Sequence, residues 1–386
     1  MNAATHVLLV TKSTGGVAEY IRWLVAGIDK ERFSLTVACL SENGPEFAEE
    51  LRRVYGVQAL SHAMNRYRVD PVSDALAGLW LARLMRNLKF DLIHAHASKP
   101  GFLVRLAALG THTPVLYSPH CFAFHAGSSK TTRFITSFLE GFAALFTTRF
   151  VAVSDGEREL ARDHRVGQER QFAVINTGID PLPYRQTVDV VALKNSLGIP
   201  ASVPIIGSVG RLSDQKSPFD FIRVAEVVHK FRPDAHFVWV GDGPLESEAQ
   251  RLSASLQLES VVHWLGQRNN VPQLLHIFDC FLLTSRWEGF PLVILEAMAA
   301  DVPIVATDIL GTRDAIRHGS NGYLAPVGDP ESLARFVLDL VEDLVKANSF
   351  RSVSRARIDG EFTRERMLTM IQNLYHQVGF EGASQR

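Results

Sequence analysis

Cysteine is scarce. The chain of 386 residues holds three, Cys39, Cys121 and Cys280. They are far apart and form no CxxC pair, so neither a disulfide framework nor a zinc site is indicated, and a reducing cytoplasm fits best. Long apolar runs are missing as well. No stretch approaches the roughly 18 uninterrupted apolar residues of a spanning helix. Met1 to Val10 lacks a basic start and has only the short run Val7 to Val10, so no signal peptide is expected. Charge of one sign is absent too: 40 Lys and Arg stand against 41 Asp and Glu, a net charge of −1. A nucleic-acid polyanion has no overall field to follow. Residues 1–183 carry 20 basic and 17 acidic groups, a small excess that suits a half leaning on an anionic membrane surface. Aromatics make up 9% and apolar residues 46%, which excludes disorder, collagen and coiled coil.

Short apolar runs alternate with longer amphipathic segments, the pattern of parallel sheets wrapped by helices. The length fits two domains. Strands are expected at His6 to Thr11, Ser34 to Leu40, Asp91 to Ala95, Val115 to Ser118, Phe150 to Val153 and Phe172 to Ile175. The rhythm restarts with Pro204 to Val209, His236 to Gly241, Val261 to Leu265, Asp279 to Thr284, Val302 to Ala306 and Gly322 to Ala325. Between them, Asn176 to Arg185 (NTGIDPLPYR) concentrates turn chemistry and reads as the hinge. The expected division is 1–181, 182–361 and a last helix over 362–386 that crosses back to the N-terminal domain. Two open parallel sheets facing each other make a cleft, and ligands of such sheets bind outside the strands' carboxyl ends.

Three strand-to-helix loops carry the chemistry. In KSTGGVAEY, Gly15 and Gly16 precede a helix whose N-terminal N–H groups suit a phosphate or sugar. Alone, the loop reads equally as a tight turn, and it lacks the GxGxxG spacing of a dehydrogenase. In GSVGRLSDQKSP, a guanidinium and an ammonium five positions apart, Arg211 and Lys216, can clamp the two charges of a diphosphate without a metal. A solvated surface pair is the alternative. In RWEGFPLVILEAMAADVP, Glu288 lies in the loop, Pro291 suits the first turn of a helix, and Glu296 lies about one turn in. Glu296 suits a ribose diol and Glu288 sugar hydroxyls or a developing positive charge, although a helix carboxylate such as Glu296 is often merely solvated.

The ordered set of GG loop, VGRLSDQKSP, VGDGP, WEGFPLVILEAMA and PIVATDILGTRDAIRHGSNGYL resembles the retaining glycosyltransferases of family four, the group 1 glycosyltransferases of the GT-B fold, over nearly the whole chain. The resemblance implies an α/β protein of two Rossmann-like domains, the second holding a nucleotide sugar, UDP-linked by first preference, with neither cofactor nor metal. It implies that Arg211 and Lys216 hold the donor diphosphate, that Glu296 binds ribose and that Glu288 faces the hexose. The backbone of Gly289, Phe290, Pro291 and Leu292 matches the turn that caps phosphates or sugar, and Gly16 the glycine that closes over them. Gly241 and Asp242 match a loop along the nucleotide, and Arg268 a position that often contacts the base. His120, in YSPHCFAFH, matches the N-domain histidine beside the transferred sugar. Two departures stand out. Thr312 and Asp314 replace a second glycine and a glutamate of many relatives, and Cys121 stands where many have glycine.

The activity implied is transfer of a hexose to an acceptor hydroxyl in the cytoplasm, in bacterial surface polysaccharide or glycolipid assembly. Many relatives use polyprenyl-linked acceptors, which places peripheral membrane contact on the inner face within the expectation. A nucleotide-sugar epimerase of similar shape and a non-catalytic subunit binding nucleotide or lipid are the alternatives. Phe134, Phe138, Phe142, Phe146 and Phe150 recur every four residues. The first four can share a broad helical face, read either as core or, with Arg133 and Arg149 at the ends, as a lipid contact. His94 and His96 share a strand face but lack a third metal ligand nearby, and adjacent His120 and Cys121 make a poor nucleophile pair.

Overall fold

The computed structural model describes residues 4–65 and 70–383, the side chains beyond 379 excepted. The chain divides into two compact units. One is built from the described residues up to Thr177 together with those from Arg364 on, the other from Gly178–Thr363.

In the first unit, β1 (Thr5–Thr11), β2 (Phe33–Leu40), β3 (Gln58–His62), β4 (Leu92–His96), β5 (Val115–Ser118), β6 (Arg149–Ala152) and β7 (Phe172–Val174) form one sheet in the order β3-β2-β1-β4-β5-β6-β7. All its pairs are parallel. The strands are short apolar runs because both faces are covered by helices. Strand β3, absent from the sequence reading, is an edge strand whose five residues QALSH carry little apolar signal. The helix Gly15–Gly27 turns Val17, Ala18, Ile21, Leu24 and Val25 inward. The last helix, Arg364–Ala383, places Met367, Leu368, Ile371, Leu374, Tyr375 and Val378 in the same core. Fully burying a large apolar side chain of this kind contributes about 1.5–3 kcal/mol. The two helices touch at Gly27, where an added Cβ would lie 2.3 Å from a Leu368 methyl.

The phenylalanine stripe divides. The helix Lys130–Ala144 leaves Phe134 74%, Phe138 69% and Phe142 48% exposed, whereas Phe150, in β6, is fully buried. The core reading of that helical face therefore fails for Phe134, Phe138 and Phe142. The helix ends before Phe146, and the faces available to the earlier three turn to solvent.

The second unit repeats the plan with β8 (Ile205–Val209), β9 (His236–Val240), β10 (Val262–Trp264), β11 (Cys280–Leu283), β12 (Ile304–Thr307) and β13 (Tyr323–Ala325), in the order β10-β9-β8-β11-β12-β13. These pairs are parallel as well. Each sheet reverses its strand order beside its first strand, at β1/β4 and at β8/β11. There the loops leaving the carboxyl ends splay apart and open a crevice.

Candidate functional site

The crevice of the second sheet is lined by the loops after β8 and β11. Backbone and side chains lock these loops together. Arg286 N donates to Gln215 O at 2.8 Å, and Thr284 Oγ1 donates to Lys216 O at 2.8 Å. The Arg286 guanidinium reaches Asp214 at 2.9 Å. Within this frame Glu288 collects three donors. Lys216 Nζ lies 2.6 Å from Oε1, Ser285 Oγ 2.8 Å from the same oxygen, and Gln215 Nε2 3.0 Å from Oε2. The Lys216 and Glu288 side chains are only 15% and 10% exposed, so the carboxylate is held in one orientation, as a group that must meet a reacting atom requires.

Close backbone packing explains the glycines. A Cβ on Gly241, which has φ +129°, would fall 2.2 Å from Gly210 O, and one on Gly311 would fall 2.6 Å from Glu288 O. The short helix after β12, Leu310–Arg313, thus presses directly on the Glu288 backbone. Thr312 is built into that helix: its hydroxyl donates to Thr307 O at 2.7 Å and accepts from Ile309 N at 3.2 Å. Thr312 is thus buried with its hydroxyl satisfied.

The remaining expected residues of this unit sit around the same strand ends. Arg211 is exposed, at the start of the loop after β8. Asp242, also exposed, accepts through its carbonyl from Leu212 N at 2.7 Å. Arg268 is exposed and its Nε donates to Leu265 O at 3.0 Å. Gly289 and Phe290 are buried, and the Phe290 ring packs on Phe362 at 5.7 Å. Pro291 is the N-cap, in extended conformation, rather than the first helical residue, and the helix Leu292–Ala299 begins with Leu292. Proline's restricted φ suits either position. Glu296 is half-buried in the second turn of that helix.

In the first unit the crevice holds a histidine cluster. His94 and His96, on the same face of β4, have ring centroids 4.1 Å apart and tilted to each other, and His120, in the loop after β5, stacks on His96 at 5.3 Å. His96 Nδ1 and His120 Nε2 are 3.0 Å apart. His94 is tied on both sides, Nδ1 to the Tyr375 hydroxyl at 2.7 Å and Nε2 to Ser118 Oγ at 2.9 Å. The Tyr20 ring stands edge-on to His120 at 4.8 Å. Burial pushes the His94 imidazolium pKa down to about 3. His120 falls to about 3 as well, through burial first and the charge of Lys12 second, and His96 falls well below its ordinary value by burial. All three are neutral imidazoles at physiological pH.

Two buried oxygens here lack a hydrogen-bond partner, Thr14 Oγ1 and the Tyr20 hydroxyl, as does His96 Nε2. Thr14 is the N-cap of the helix Gly15–Gly27 but makes no capping bond, and no acidic residue occupies the first turn. Gly15 has φ +66°, a conformation that favours glycine, and Gly16 is exposed beside it. This end of the helix presents free N–H groups of the kind that receive an anion.

His120 and Cys121 both have left-handed backbone, with φ 55° and 113°. Glu157 secures the turn, its carboxylate accepting from Cys121 N at 2.7 Å and Val153 N at 2.9 Å. Burial raises the Glu157 pKa to about 7.

Residues 190–357 match the model of the glycosyl transferases group 1, and residues 14–181 that of glycosyltransferase family 4. The chain is a group 1 glycosyltransferase. This glycosyltransferase is 28% identical over 355 residues, 90% of either chain, to an Escherichia coli UDP-Gal:α-D-GlcNAc-diphosphoundecaprenol α-1,3-galactosyltransferase. It is 32% identical over 191 residues, about half of either chain (49% and 50%), to the N-acetyl-α-D-glucosaminyl L-malate synthase of Bacillus anthracis. Among solved structures, HepE of Anabaena in complex with UDP superposes with a TM-score of 0.81 at 22% identity, covering 97% of this chain and 100% of that one. The sucrose-phosphate synthase of Thermosynechococcus elongatus gives 0.82 at 18%, covering 97% and 99%. The shared fold is GT-B.

Sequence reasoning missed the partners of the two principal residues. Gln215 and Ser285 flank motif positions and carried no signal of their own. Tyr20 and His96 meet His120, and Glu157 meets the neighbouring Cys121 N–H, only through the fold. Glu157 did leave a trace: Ser154 followed three positions on by a glutamate is the pattern of a helix start, and the Ser154 hydroxyl does accept from Glu157 N at 2.9 Å.

Proposed function

We propose that this glycosyltransferase is a retaining, metal-independent hexosyltransferase. It moves a sugar from a UDP-sugar to a hydroxyl of a lipid-linked acceptor, in bacterial surface polysaccharide or glycolipid assembly, at the inner face of the membrane. The observation that carries the reading is Glu288 held by Lys216, Gln215 and Ser285 at the mouth of the second sheet. It puts a fixed carboxylate and a cation side by side, with Arg211 in the same loop. The named activity of the E. coli relative and the UDP bound by HepE favour the donor and acceptor classes.

In this mechanism Lys216 and Arg211 meet the donor diphosphate. As the bond between C1 and the phosphate oxygen breaks, negative charge grows on the leaving group, so these cations stabilise the transition state more than the ground state. The acceptor oxygen bonds to C1 on the face the diphosphate leaves, and its proton passes to a departing phosphate oxygen. Glu288 sits against the positive charge that develops on the sugar, and His120 hydrogen-bonds a sugar hydroxyl. Glu296 takes the ribose diol, Arg268 contacts the base, and Gly16 and the Gly289–Leu292 backbone close on the phosphates and sugar.

The test is a donor screen in EDTA with individual UDP-, GDP- and ADP-sugars, with and without bacterial membrane extract, following nucleotide release and the anomeric configuration of the product. Acceptor-dependent release from a UDP-sugar with retained configuration is expected. Inversion, an EDTA-abolished reaction, or conversion of the donor with no acceptor present would overturn the corresponding part.

A further inference from the structure

The helix Lys130–Ala144 has its apolar face outward. Phe134, Phe138 and Phe142 follow one another at four-residue spacing, Leu145 continues the row, and Ile135 and Leu139 lie beside it, all exposed. Water is a poor solvent for such a face, and a contiguous apolar strip of this kind marks a contact surface. The residues of the helix that do pack inward are Glu140, Ala143 and Ala144.

The charges on this helix sort by sign. Its one carboxylate, Glu140, is withdrawn from the surface: Arg105 Nη2 donates to it at 2.6 Å and the Tyr117 hydroxyl at 3.1 Å. Lys130 and Arg133 are left at its N-terminal end. Beyond its C-terminal end lies a cavity of about 530 Å³ lined by Gly141, Leu145, Arg149, Arg165, Arg170 and Gln171, among others. Three guanidinium side chains therefore converge where the apolar strip ends. The nearby Glu169 carboxylate is 3.5 Å from Arg158, which also binds Asp155 at 2.7 Å. An outward apolar face with cations at both ends and no exposed carboxylate of its own matches an interfacial helix on an anionic bilayer.

We propose that this face docks on an anionic phospholipid bilayer, with the Phe134, Phe138, Phe142 and Leu145 side chains at the acyl boundary and a lipid phosphate headgroup in the pocket of Arg149, Arg165 and Arg170. The inference deepens the membrane location given above and rests on that part of the reading alone. The transfer reaction stands or falls separately.

Flotation of the full chain with vesicles of phosphatidylcholine, with and without one third phosphatidylglycerol, tests it. Binding is expected to the anionic vesicles and to fall with added salt. Phe134→Ser with Phe138→Ser is expected to lower binding at least tenfold. Arg165→Gln with Arg170→Gln is expected to lower it by about fivefold for each arginine and to flatten the salt dependence, leaving the residual binding to neutral vesicles unchanged. Both pairs are surface changes, and an unaltered melting temperature together with unaltered UDP binding verifies the fold. Equal binding to neutral and anionic vesicles, or variants that bind like the parent, would overturn the proposal. So would a dimer in solution that the Phe134→Ser, Phe138→Ser change dissolves while the parent ignores vesicles, since the strip would then serve a second copy of the chain. A chain that transfers sugar normally yet never binds vesicles would remove the surface and leave the enzyme reading intact.

Discussion

Lys216 Nζ and Glu288 Oε1 are 2.6 Å apart, although each is proposed to serve a different part of the donor. The pair holds a cation and a carboxylate in one place, partly withdrawn from water, and in the proposed mechanism a diphosphate draws the ammonium away. Glu288→Gln keeps the shape and removes the charge, so turnover is expected to fall by about 10²–10³ while UDP affinity measured by calorimetry changes little. Lys216→Ala removes the cation, and a loss of at least tenfold in UDP affinity is expected. Unchanged affinity in Lys216→Ala would take the lysine out of the diphosphate site.

His96 is placed to set the protonation of His120. Because His96 Nε2 has no partner, a proton on that atom would be an orphaned buried donor, costlier than an orphaned lone pair. The proton is therefore on Nδ1, which donates to His120 Nε2 and leaves His120 with its own proton on Nδ1, ready to donate outward. His96→Asn retains a donor near that position and is expected to keep most activity. His96→Leu is expected to lower kcat at least tenfold with little change in UDP affinity. Nitrogen chemical shifts of His120 check the tautomer directly, and an Nε2-protonated ring would refute the assignment.

Cys121 holds a backbone conformation that glycine adopts freely, at φ 113°. Strain of this kind costs of order 1–3 kcal/mol. Cys121→Gly is expected to fold and to be at least as stable as the parent in urea denaturation, since the Glu157 bond to the Cys121 N–H does not depend on the side chain. A clear loss of stability would mean that the thiol contributes packing that outweighs the strain.

The histidine cluster makes the first unit acid-sensitive. In the unfolded chain these imidazoles take up protons near their ordinary pKa, about 6.5, whereas folded His94 does so only near 3 and folded His96 is also held well below 6.5. Between those values the unfolded state binds more protons, so stability is complete above pH 6.5 and declines as pH falls. The slope is about 1.4 kcal/mol per pH unit for each net proton. Glu157 works the other way, since its pKa of about 7 lies above the ordinary glutamate value, and it offsets part of one proton over that interval. Urea midpoints from pH 7 to pH 5 should fall, and the fall should shrink in His94→Gln. A midpoint independent of pH would show that the cluster protonates without cost.

The strand rhythm was legible because parallel strands covered on both faces leave compact apolar runs, as in LIHAH at β4 and CFLL at β11. QALSH at β3 escaped because an edge strand needs no such run. The motif glycines could be placed from sequence, yet what they approach could not: Gly311 against Glu288, or Gly241 against Gly210, is a contact between distant segments. The same holds for Glu288, whose three donors come from two loops. The Phe134 row shows the opposite limit. Its periodicity identified a helical face, and the pattern is the same whether that face turns inward or outward.

The first unit takes its core from both ends of the chain. Tyr375, near the C-terminal end, closes the hydrogen bond to His94 in β4, and Ile371 and Leu374 pack among residues of β1 and β2. The second unit, by contrast, is one continuous stretch. During synthesis the first-made strands must therefore wait, incompletely covered, until the second unit has left the ribosome and the last helix follows it. The earlier-made unit is thus completed only after the later one.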